Sequence, residues 1–398
     1  MAATIETLSA TIDEIFPGVV ADRRWLHQNP ELGNQEFKTA AFVAERLAAL
    51  GVEDIRTGVG QTGVTGLIRG TRGEGKVVAL RADMDALPIL EENEIDYASD
   101  NPGVMHACGH DGHTAMLLGT ARALTELHDS FAGTVKLIFQ PAEEGGQGAT
   151  AMVKDGALQD PRPDALFGIH LWNYIPVGEV WVRDGAMMVG VDAIDIRVTG
   201  AGGHGGIPNS CIDPIVAAAS IVLNVQTVVS RNNNPLEPGV FTIGSIHAGN
   251  AGNVIPDVVT MTGTIRHVNE SQAELMRRRI REIAESTANA FGATAEVTVG
   301  ERVGPTVNDP TMAQIVRDAS ASVVGPENVI QGQIQMVSED VSVFMNEIPG
   351  CYYLVGTRNE AKGFTWGHHT SRFDIDEDAL AIGIETMTRS VLKFLAQD

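Results

Sequence analysis

The sequence predicts an α/β protein in which a larger domain of two or more layers, built on a mixed sheet, contains a second, inserted domain. Two patterns indicate this class. Helices alternate with short buried strands through the first half of the chain, which is typical of layered α/β domains. A β-α-β-β-α-β order follows within residues 190–303, and this is the order of the ferredoxin-like split-βαβ unit.

In the first half, apolar residues at helical spacing predict a helix over the first thirty residues and another over 38–50, which stops at Gly51. Apolar runs predict buried strands over 64–68, 76–81, 134–140 and 165–170, and a helix is predicted over 114–128. Because strands and helices alternate, we expect the sheet to be parallel or mixed.

The middle of the chain alternates differently. Strands are predicted over 192–199, 241–248, 258–266 and 294–299, with helices over 212–229 and 271–291. The tail returns to the first pattern, with helices over 312–323 and 376–395 and a strand over 351–355. The middle of the chain is therefore interpreted as a separate domain inserted into the first.

Composition excludes several function classes. The 398 residues carry 51 acidic and 28 basic side chains, and the net charge of −23 disfavours nucleic acid and anionic membranes. The three cysteines lie far apart and form no disulfide framework, which favours a reducing compartment. We see no signal peptide and expect a cytoplasmic protein. The apolar stretch 214–229 contains three polar residues and is interpreted as a core helix.

The segment MHACGHDGH, residues 105–113, is the densest chemical signal. Thiolate and imidazole together suit zinc and its neighbours, and the two glycines let the backbone bring donors together. The alternative is a buried loop whose histidines bond to the backbone. Burying so many ionisable groups without a purpose is costly, so a metal site is favoured. The candidate donors are His106, Cys108, His110, Asp111 and His113.

Polar side chains also follow three predicted strands. Asp83 and Asp85 follow the strand 76–81, Glu143 and Glu144 follow 134–140, and His170 follows 165–169. Ligands bind at the carboxyl ends of strands in open α/β sheets, so we expect these groups to converge. Two adjacent carboxylates can have different roles, since one can bind metal while the other acts as general base. A solvated surface pair is the alternative.

Near the end of the chain, GHHTSRFDIDEDAL offers His368 or His369 as a further ligand, or else forms a surface loop. The chain as a whole resembles the M20 metallopeptidase family, in particular its amidohydrolase branch of hippurate hydrolases, N-acyl-amino-acid amidohydrolases and auxin-conjugate hydrolases. The motifs that carry the resemblance are LHQNPELGNQEF, LRADMDALPI, MHACGHDGHTAMLLG, FQPAEEGGQGA, GIHLW, GGHGGIP, GNVIPDVVTMTGTIR, SEDVSVF and HHTSRFDIDED.

The resemblance implies a catalytic domain of residues 1–189 and 304–398 with an inserted lid of residues 190–303. It also implies a role for each matching residue. Glu143 is the general base and then the general acid, and Asp85 orients part of the site. His204 resembles a histidine that a partner subunit brings to the substrate carbonyl, and Asn253 and Arg266 hold the substrate carboxylate. The family often has proline where Ser371 stands, so His368 stays an alternative to the favoured His369. The implied metal ligands are Cys108, His110, Glu144, His170 and His369.

The function expected on this basis is hydrolysis of the amide bond of N-acyl amino acids by a metal-activated water. The resemblance implies two divalent ions per subunit, and zinc, manganese and cobalt all suit such donors. A carboxypeptidase or dipeptidase is the alternative within the same chemistry. A metal-storage or sensor protein is disfavoured, because it needs no spare base. Because lids of this family commonly dimerise, we expect a homodimer or higher homo-oligomer formed through the lid.

Overall fold

The computed structural model describes residues 2–145 and 147–397, without the side chains of residues 2–7 and 301. The chain divides into two compact units. The larger consists of Met1–Met187, Val307–Gln333 and Asp340–Asp398, and the smaller of Met188–Thr306 and Ile334–Glu339. The segment Ile334–Glu339, which no sequence signal assigned to the insertion, is thus part of the smaller unit.

The elements below are numbered along the chain. The α-helices are α1 (Ala2–Gln28), α2 (Phe37–Ala49), α3 (His110–Glu126), α4 (Gly148–Lys154), α5 (Pro214–Val225), α6 (Glu270–Ala290), α7 (Pro310–Val324), α8 (Val341–Met345) and α9 (Asp378–Leu395). The strands are β1 (Glu53–Val59), β2 (Gly63–Arg69), β3 (Val77–Asp83), β4 (Thr134–Gln140), β5 (Ala165–Pro176), β6 (Val180–Trp181), β7 (Gly185–Met188), β8 (Gly190–Thr199), β9 (Gly203–His204), β10 (Val240–Ala248), β11 (Val254–Ile255), β12 (Val258–His267), β13 (Thr294–Val303), β14 (Thr306–Asn308), β15 (Val329–Ile330) and β16 (Gly350–Arg358).

The main sheet of the larger unit has the order β1-β2-β4-β3-β5-β16-β6-β15. Its centre is parallel, since β3 pairs in parallel with β4 and β5, and β5 with β16. The pairs β1–β2, β2–β4 and β6–β16 are antiparallel. The mixed α/β class is therefore confirmed. Strand β1 was missed because most of its side chains are exposed, so it carries no apolar run.

Helix α3 is buried along nearly its whole length against α1, α9 and the sheet. Two glycines allow this close packing. A Cβ on Gly112 would lie 2.4 Å from Leu171 Cδ1, and one on Gly119 would lie 2.6 Å from Ile384 Cδ1. The predicted start at residue 114 is wrong. Gly109 adopts a left-handed φ of 88°, so the helix begins directly after it, at His110.

The smaller unit has an antiparallel sheet in the order β10-β12-β8-β13, with α5 and α6 supplying the helices of a β-α-β-β-α-β chain. This is the predicted ferredoxin-like topology. Its separate core joins apolar residues of both helices to those of the strands. Asp213 begins α5 by accepting a hydrogen bond from the Ile215 N–H, with Pro214 in the first turn.

By length and composition alone, the 19-residue segment Pro214–Asn232 resembles a membrane span. The structure places most of it in α5, which packs Ala217, Ala218 and Ile221 into the core of the smaller unit. Its opposite face carries exposed Ile215 and Leu223, and a third of the apolar window is buried. The segment is therefore a helix packed on a sheet, with one apolar face left uncovered in the single chain.

A candidate metal centre in the larger unit

Donor side chains from four separate segments meet in the larger unit. Cys108, His110 and His170 form one group in which every pair of donor atoms lies within 4.8 Å, and Cys108, Glu144 and His369 form another. Cys108 Sγ lies 3.6 Å from His170 Nε2, and Glu144 Oε1 lies 3.1 Å from His369 Nε2. The structure thus brings together all five ligands that the family resemblance implied.

The carboxyl edge of the parallel strands positions these groups. Strands β3 and β4 pair up to Asp83 and Gln140, and the acidic segments follow directly. The sequence predicted that His170 follows its strand, but His170 lies inside β5. The pairing of β5 with β3 ends at Gly168, so His170 still projects beyond its neighbouring strand. Beyond Gly168, β5 continues to pair with β16 alone. The apolar run of β5 continues there too, so the sequence did not show where the pairing with β3 ends.

The two buried imidazoles are oriented so that their Nε2 atoms face the cluster. His110 Nδ1 donates to the Asp85 carbonyl at 2.9 Å, with the Asp85 carboxylate 3.2 Å away. His170 Nδ1 donates to the Leu171 carbonyl at 2.7 Å. Within the described residues, His110 Nε2 is buried without a hydrogen-bond partner. An imidazole held by one nitrogen, with the other free and buried, is the arrangement of a metal ligand.

The electrostatics also favour a cation. Burial opposes protonation of His110, but Asp83, Asp85 and Glu144 outweigh it and raise its pKa to about 10. Burial, with Glu144 and Glu143 nearby, raises the pKa of the Cys108 thiol well above its ordinary value. The pocket therefore has negative groups in excess of positive ones. A divalent cation would ionise the thiol and replace the imidazole proton, so the residues present fit a metal site.

Asp85 connects two of the ligand-bearing segments. It is 2 % exposed, and its Oδ2 accepts the Glu144 N–H at 2.9 Å while the other oxygen faces His110. One side chain thus fixes the direction of an imidazole and of the neighbouring acidic loop. This geometry suits the orienting role that the family resemblance implied for Asp85.

Glu143 lies beside the donor cluster. Its carboxylate forms a group with those of Glu144 and the His110 imidazole, and its Oε1 lies 3.4 Å from the Asp340 N–H, which points toward it. The loop that carries it is tightly turned, since the Gly145 N–H bonds to the Glu143 carbonyl at 2.7 Å. Gly146, the last residue of the predicted Glu-Glu-Gly-Gly motif, lies outside the described residues.

Among the described residues, three of the candidate donors of MHACGHDGH are absent from the two donor groups that contain Cys108. His113 donates from Nδ1 to Asp83 at 2.6 Å and accepts the Leu171 N–H at Nε2, so both of its nitrogens are engaged. Asp111 pairs with Arg23. His106 is buried, and burial lowers its pKa to about 4, so it is neutral at physiological pH. Sequence density alone did not distinguish these residues from the ligands.

The structure separates His369 from His368. His368 packs flat on Trp172, with a centroid distance of 4.6 Å, and its Nε2 accepts the Asn173 N–H at 3.0 Å. His369 has a φ of 61°, in the left-handed region of backbone conformation. Its N–H bonds to the Ala107 carbonyl at 2.8 Å, so it is anchored directly beside the Cys108 segment.

A buried ionic network supports the ligand segments, and the sequence reasoning missed it. Arg23 of α1 is fully buried and bonds to Asp111 at 2.8 Å and Asp374 at 2.6 Å. His27, one turn later, lies between Asp111 and Glu91; burial opposes its protonation, but both carboxylates raise its pKa to about 9. The sequence does contain a signal of this network, because Arg23 and His27 lie on the apolar face of a predicted helix.

His204 and Asn253 belong to the smaller unit, on the β9–β11 ribbon and its connection. His204 is exposed and its Nδ1 accepts the Gly206 N–H at 3.0 Å, so Nε2 carries the proton and can donate. Asn253 is exposed, and its carbonyl accepts the Gly205 N–H at 2.8 Å. The structure therefore brings these two predicted residues into one loop cluster.

Arg266 lies at the other end of β12. Its strand begins at Val258, whose partner Thr199 adjoins the ribbon that carries His204, whereas Arg266 pairs with Val191. Eight residues at about 3.4 Å each separate Val258 from Arg266 by roughly 27 Å. Within the described part of the chain, Arg266 Nη1 is buried without a hydrogen-bond partner, and burial lowers the pKa of the guanidinium. Such a group is suited to bind an anion.

Comparisons with known proteins agree with these features. The profile of Peptidase family M20/M25/M40 matches residues 79–393. Thermostable carboxypeptidase 2 of Saccharolobus solfataricus is 41% identical over 98% of this chain and 98% of its own length. N-acetyl-L-cysteine deacetylase of Bacillus subtilis is 40% identical over 93% of this chain and 86% of its own.

Solved structures match over nearly the full length. A putative aminohydrolase from methicillin-resistant Staphylococcus aureus has a TM-score of 0.92 and 36% identity, covering 98% of this chain and 99% of that one. The YXEP protein of Bacillus subtilis, described as a dinuclear metal-binding peptidase, has a TM-score of 0.85 and 32% identity, covering 96% and 99%. With its fold, its donor cluster and the profile match, the chain belongs to peptidase family M20/M25/M40 and is a hydrolase of amide or peptide bonds.

Proposed function

We propose that the protein is a metal-dependent amidohydrolase that cleaves N-acyl amino acids, with hippurate as a representative substrate, to a carboxylic acid and a free amino acid. The observation that carries the proposal is the convergence of Cys108, His110, Glu144, His170 and His369, with the Glu143 carboxylate beside them. Relatives that include a deacetylase of an N-acetylated amino acid support the substrate class. The three free cysteines, one of them a proposed ligand, support a reducing, cytoplasmic setting.

Two divalent cations per subunit, of zinc, manganese or cobalt, are proposed to bind the five ligands. The two donor groups share only Cys108, which suits a pair of ions better than a single one. When bound, such ions polarise a carbonyl oxygen and lower the pKa of water toward neutrality. The mixed sulfur, nitrogen and oxygen donors accommodate all three metals.

Glu143 performs the proton transfers in the proposed reaction. Its carboxylate takes a proton from the attacking water, the water oxygen bonds to the amide carbon, and the carbon–nitrogen bond breaks as Glu143 returns the proton to the leaving nitrogen. His204 Nε2–H donates to the substrate carbonyl oxygen. The Arg266 guanidinium binds the substrate carboxylate, and Asn253 helps to hold it from the subunit that supplies His204, because the two lie in one loop cluster.

We infer that His204 acts on the substrate of a partner subunit. One N-acyl amino acid cannot easily contact both His204 and Arg266 of one chain, since β12 places them roughly 27 Å apart along the strand. A second copy can supply the histidine. The exposed apolar residues of α5, namely Ile215, Val216 and Leu223, and the edge strand β10 give the smaller unit a surface for such a homodimer.

Co-expression of inactive variants tests this inference. His204→Ala on one chain and Glu143→Ala on the other should restore about one quarter of wild-type activity, because half of randomly assorted dimers are mixed and each has one complete site. Both substitutions on one chain, with a wild-type partner, should leave the mixed dimer inactive. Tandem affinity purification through two different tags isolates the mixed dimers. Activity only in the second combination would show that His204 acts within its own subunit.

A carboxypeptidase or dipeptidase is the second candidate, because relatives that are 41% identical over nearly the whole chain are carboxypeptidases. Metal-stripped protein, reloaded in turn with zinc, manganese or cobalt, should hydrolyse N-acetyl and N-benzoyl amino acids faster than dipeptides. Elemental analysis should find about two ions per chain. A preference for dipeptides would favour the second candidate, and metal binding without hydrolysis across the panel would contradict both.

A further inference from the structure

Glu36 is a buried carboxylate whose position the hydrolytic reaction does not explain. It precedes α2, in the segment NPELGNQEF, and its side chain is fully buried. Its Oε1 accepts the Ala142 N–H at 2.8 Å, and its Oε2 accepts the Thr62 hydroxyl at 2.6 Å. The first of these bonds reaches the residue directly before Glu143, more than one hundred positions along the chain.

Ala142 has an unusual backbone. Its φ of 51° lies in the left-handed region, which residues other than glycine rarely adopt. Both of its peptide groups are engaged, the N–H by Glu36 and the carbonyl by the Gly148 N–H at 3.2 Å. Gly33 packs against it so closely that a Cβ there would lie 3.1 Å from Ala142. Such a conformation persists when surrounding contacts enforce it.

Two other buried carboxylates hold the same loop. Asp85 accepts the Glu144 N–H, and Asp340 accepts the Ala149 N–H at 3.1 Å. Asp85 also contacts the ligand His110, and the Asp340 N–H faces Glu143, so substitutions at either would disturb the site directly. The Glu36 carboxylate bonds to the backbone of Ala142 in this loop and otherwise to the Thr62 hydroxyl, so its effect on loop conformation is separable from direct contact with the site.

We propose that Glu36 is a positioning residue that enforces the left-handed turn at Ala142 and thereby directs Glu143 and Glu144 toward the donor cluster. This rests on the proposed function, since Glu143 and Glu144 are the proposed base and ligand. Without the acceptor at Glu36, the turn relaxes, and the two carboxylates lose their alignment together. Proton transfer and metal affinity then fall in parallel, whereas substrate binding by the smaller unit is untouched.

The test compares three substitutions at one position. Glu36→Leu removes the acceptor, and Glu36→Asp keeps the charge but withdraws the carboxylate by one carbon. Both should lower kcat and the affinity for Zn²⁺ roughly 10- to 100-fold while KM changes little. Glu36→Gln should retain most of both, because its amide oxygen can accept the Ala142 N–H while its NH₂ donates to the Thr62 hydroxyl.

Glu31 provides a matched control in the same segment. Its carboxylate accepts the N–H groups of Lys38 and Thr39 at the start of α2. Among the described residues, it bonds to none in the loop that follows β4. Glu31→Ala should lower the melting temperature but leave kcat and Zn²⁺ affinity unchanged. Zinc affinity is measured by chelator competition on the metal-stripped full chain, with circular dichroism to verify folding.

The outcomes separate this inference from the proposed function. Wild-type kcat and Zn²⁺ affinity in folded Glu36→Asp or Glu36→Leu would overturn the role of Glu36, as would equal losses in Glu36→Gln and Glu36→Leu. If the wild type binds Zn²⁺ but hydrolyses no amide, the proposed function fails, and the zinc affinities of the variants still decide the role of Glu36.

Discussion

Replacing Glu143 by alanine should lower kcat by about 10⁴-fold while leaving the metal content unchanged. The carboxylate lies in the His110–Glu143–Glu144 group, yet it belongs to neither of the two donor groups built on Cys108. A residue that serves both the deprotonation of water and the protonation of the leaving nitrogen affects both barriers when it is removed. Steady-state kinetics with an N-acyl amino acid, on protein whose metal has been quantified, measures the effect.

The neighbouring residue supplies a matched comparison. Glu144→Ala should lose metal as well as activity, because its Oε1 lies 3.1 Å from His369 Nε2 within the cluster. Glu143→Gln, which keeps the shape of the side chain but cannot accept a proton, should be as inactive as Glu143→Ala. Near-normal turnover by Glu143→Ala at full metal loading would remove it from the role of general base.

Arg23→Met should lower the free energy of unfolding of the larger unit by about 3–5 kcal/mol, because it removes the buried cation that Asp111 and Asp374 share. Burial disfavours the charged form of Asp111, but Arg23 and His27 together hold its pKa well below the ordinary range. Asp111 adjoins the ligand His110, so zinc affinity should fall too. Urea denaturation of the zinc-loaded chain, followed by the transition of the larger unit, measures the loss.

Arg24 offers the control, since it adjoins Arg23 and also pairs with a carboxylate. Its side chain is 41% exposed and bonds to Glu377 at 2.7 Å. Arg24→Met should cost about 0–1 kcal/mol, as is usual for an ion pair at the surface. When Asp111→Asn is added to Arg23→Met, part of the lost free energy of unfolding should return, because a buried amide needs no counter-charge. If Arg23→Met and Arg24→Met lowered the free energy of unfolding equally, burial would not be the reason for the large effect expected at Arg23.

The sequence predicted the fold because periodicity reports which side of each element is buried. The buried strands β3 and β4 and the split-βαβ order were legible as apolar runs and alternation. The exposed edge strand β1 was not, since it buries almost nothing. The start of α3 was displaced by four residues because nothing in the chemistry of His110 and Asp111 tells a loop from a first helical turn.

The residue types of the candidate site were predictable from the sequence, but the directions in which their side chains point were not. His110 and His113 belong to the same motif and are both buried. Hydrogen bonds from distant segments decide between them: Asp85 leaves His110 Nε2 free, whereas Asp83 and the Leu171 N–H engage both nitrogens of His113. These bonds join β3, α3 and β5, and no local spacing encodes them.

By itself, the sequence determined the α/β class and the inserted ferredoxin-like unit, and its resemblance to a family predicted that Cys108, His110, Glu144, His170 and His369 form one set of donors. Only the tertiary structure decided which imidazole nitrogens face the cluster and that Glu36 and Arg23 bond to the segments that carry it. Periodicity and residue type are local properties of a chain. The direction of a buried polar group depends on partners a hundred or more residues away, because burial obliges it to bond with whatever the fold brings beside it.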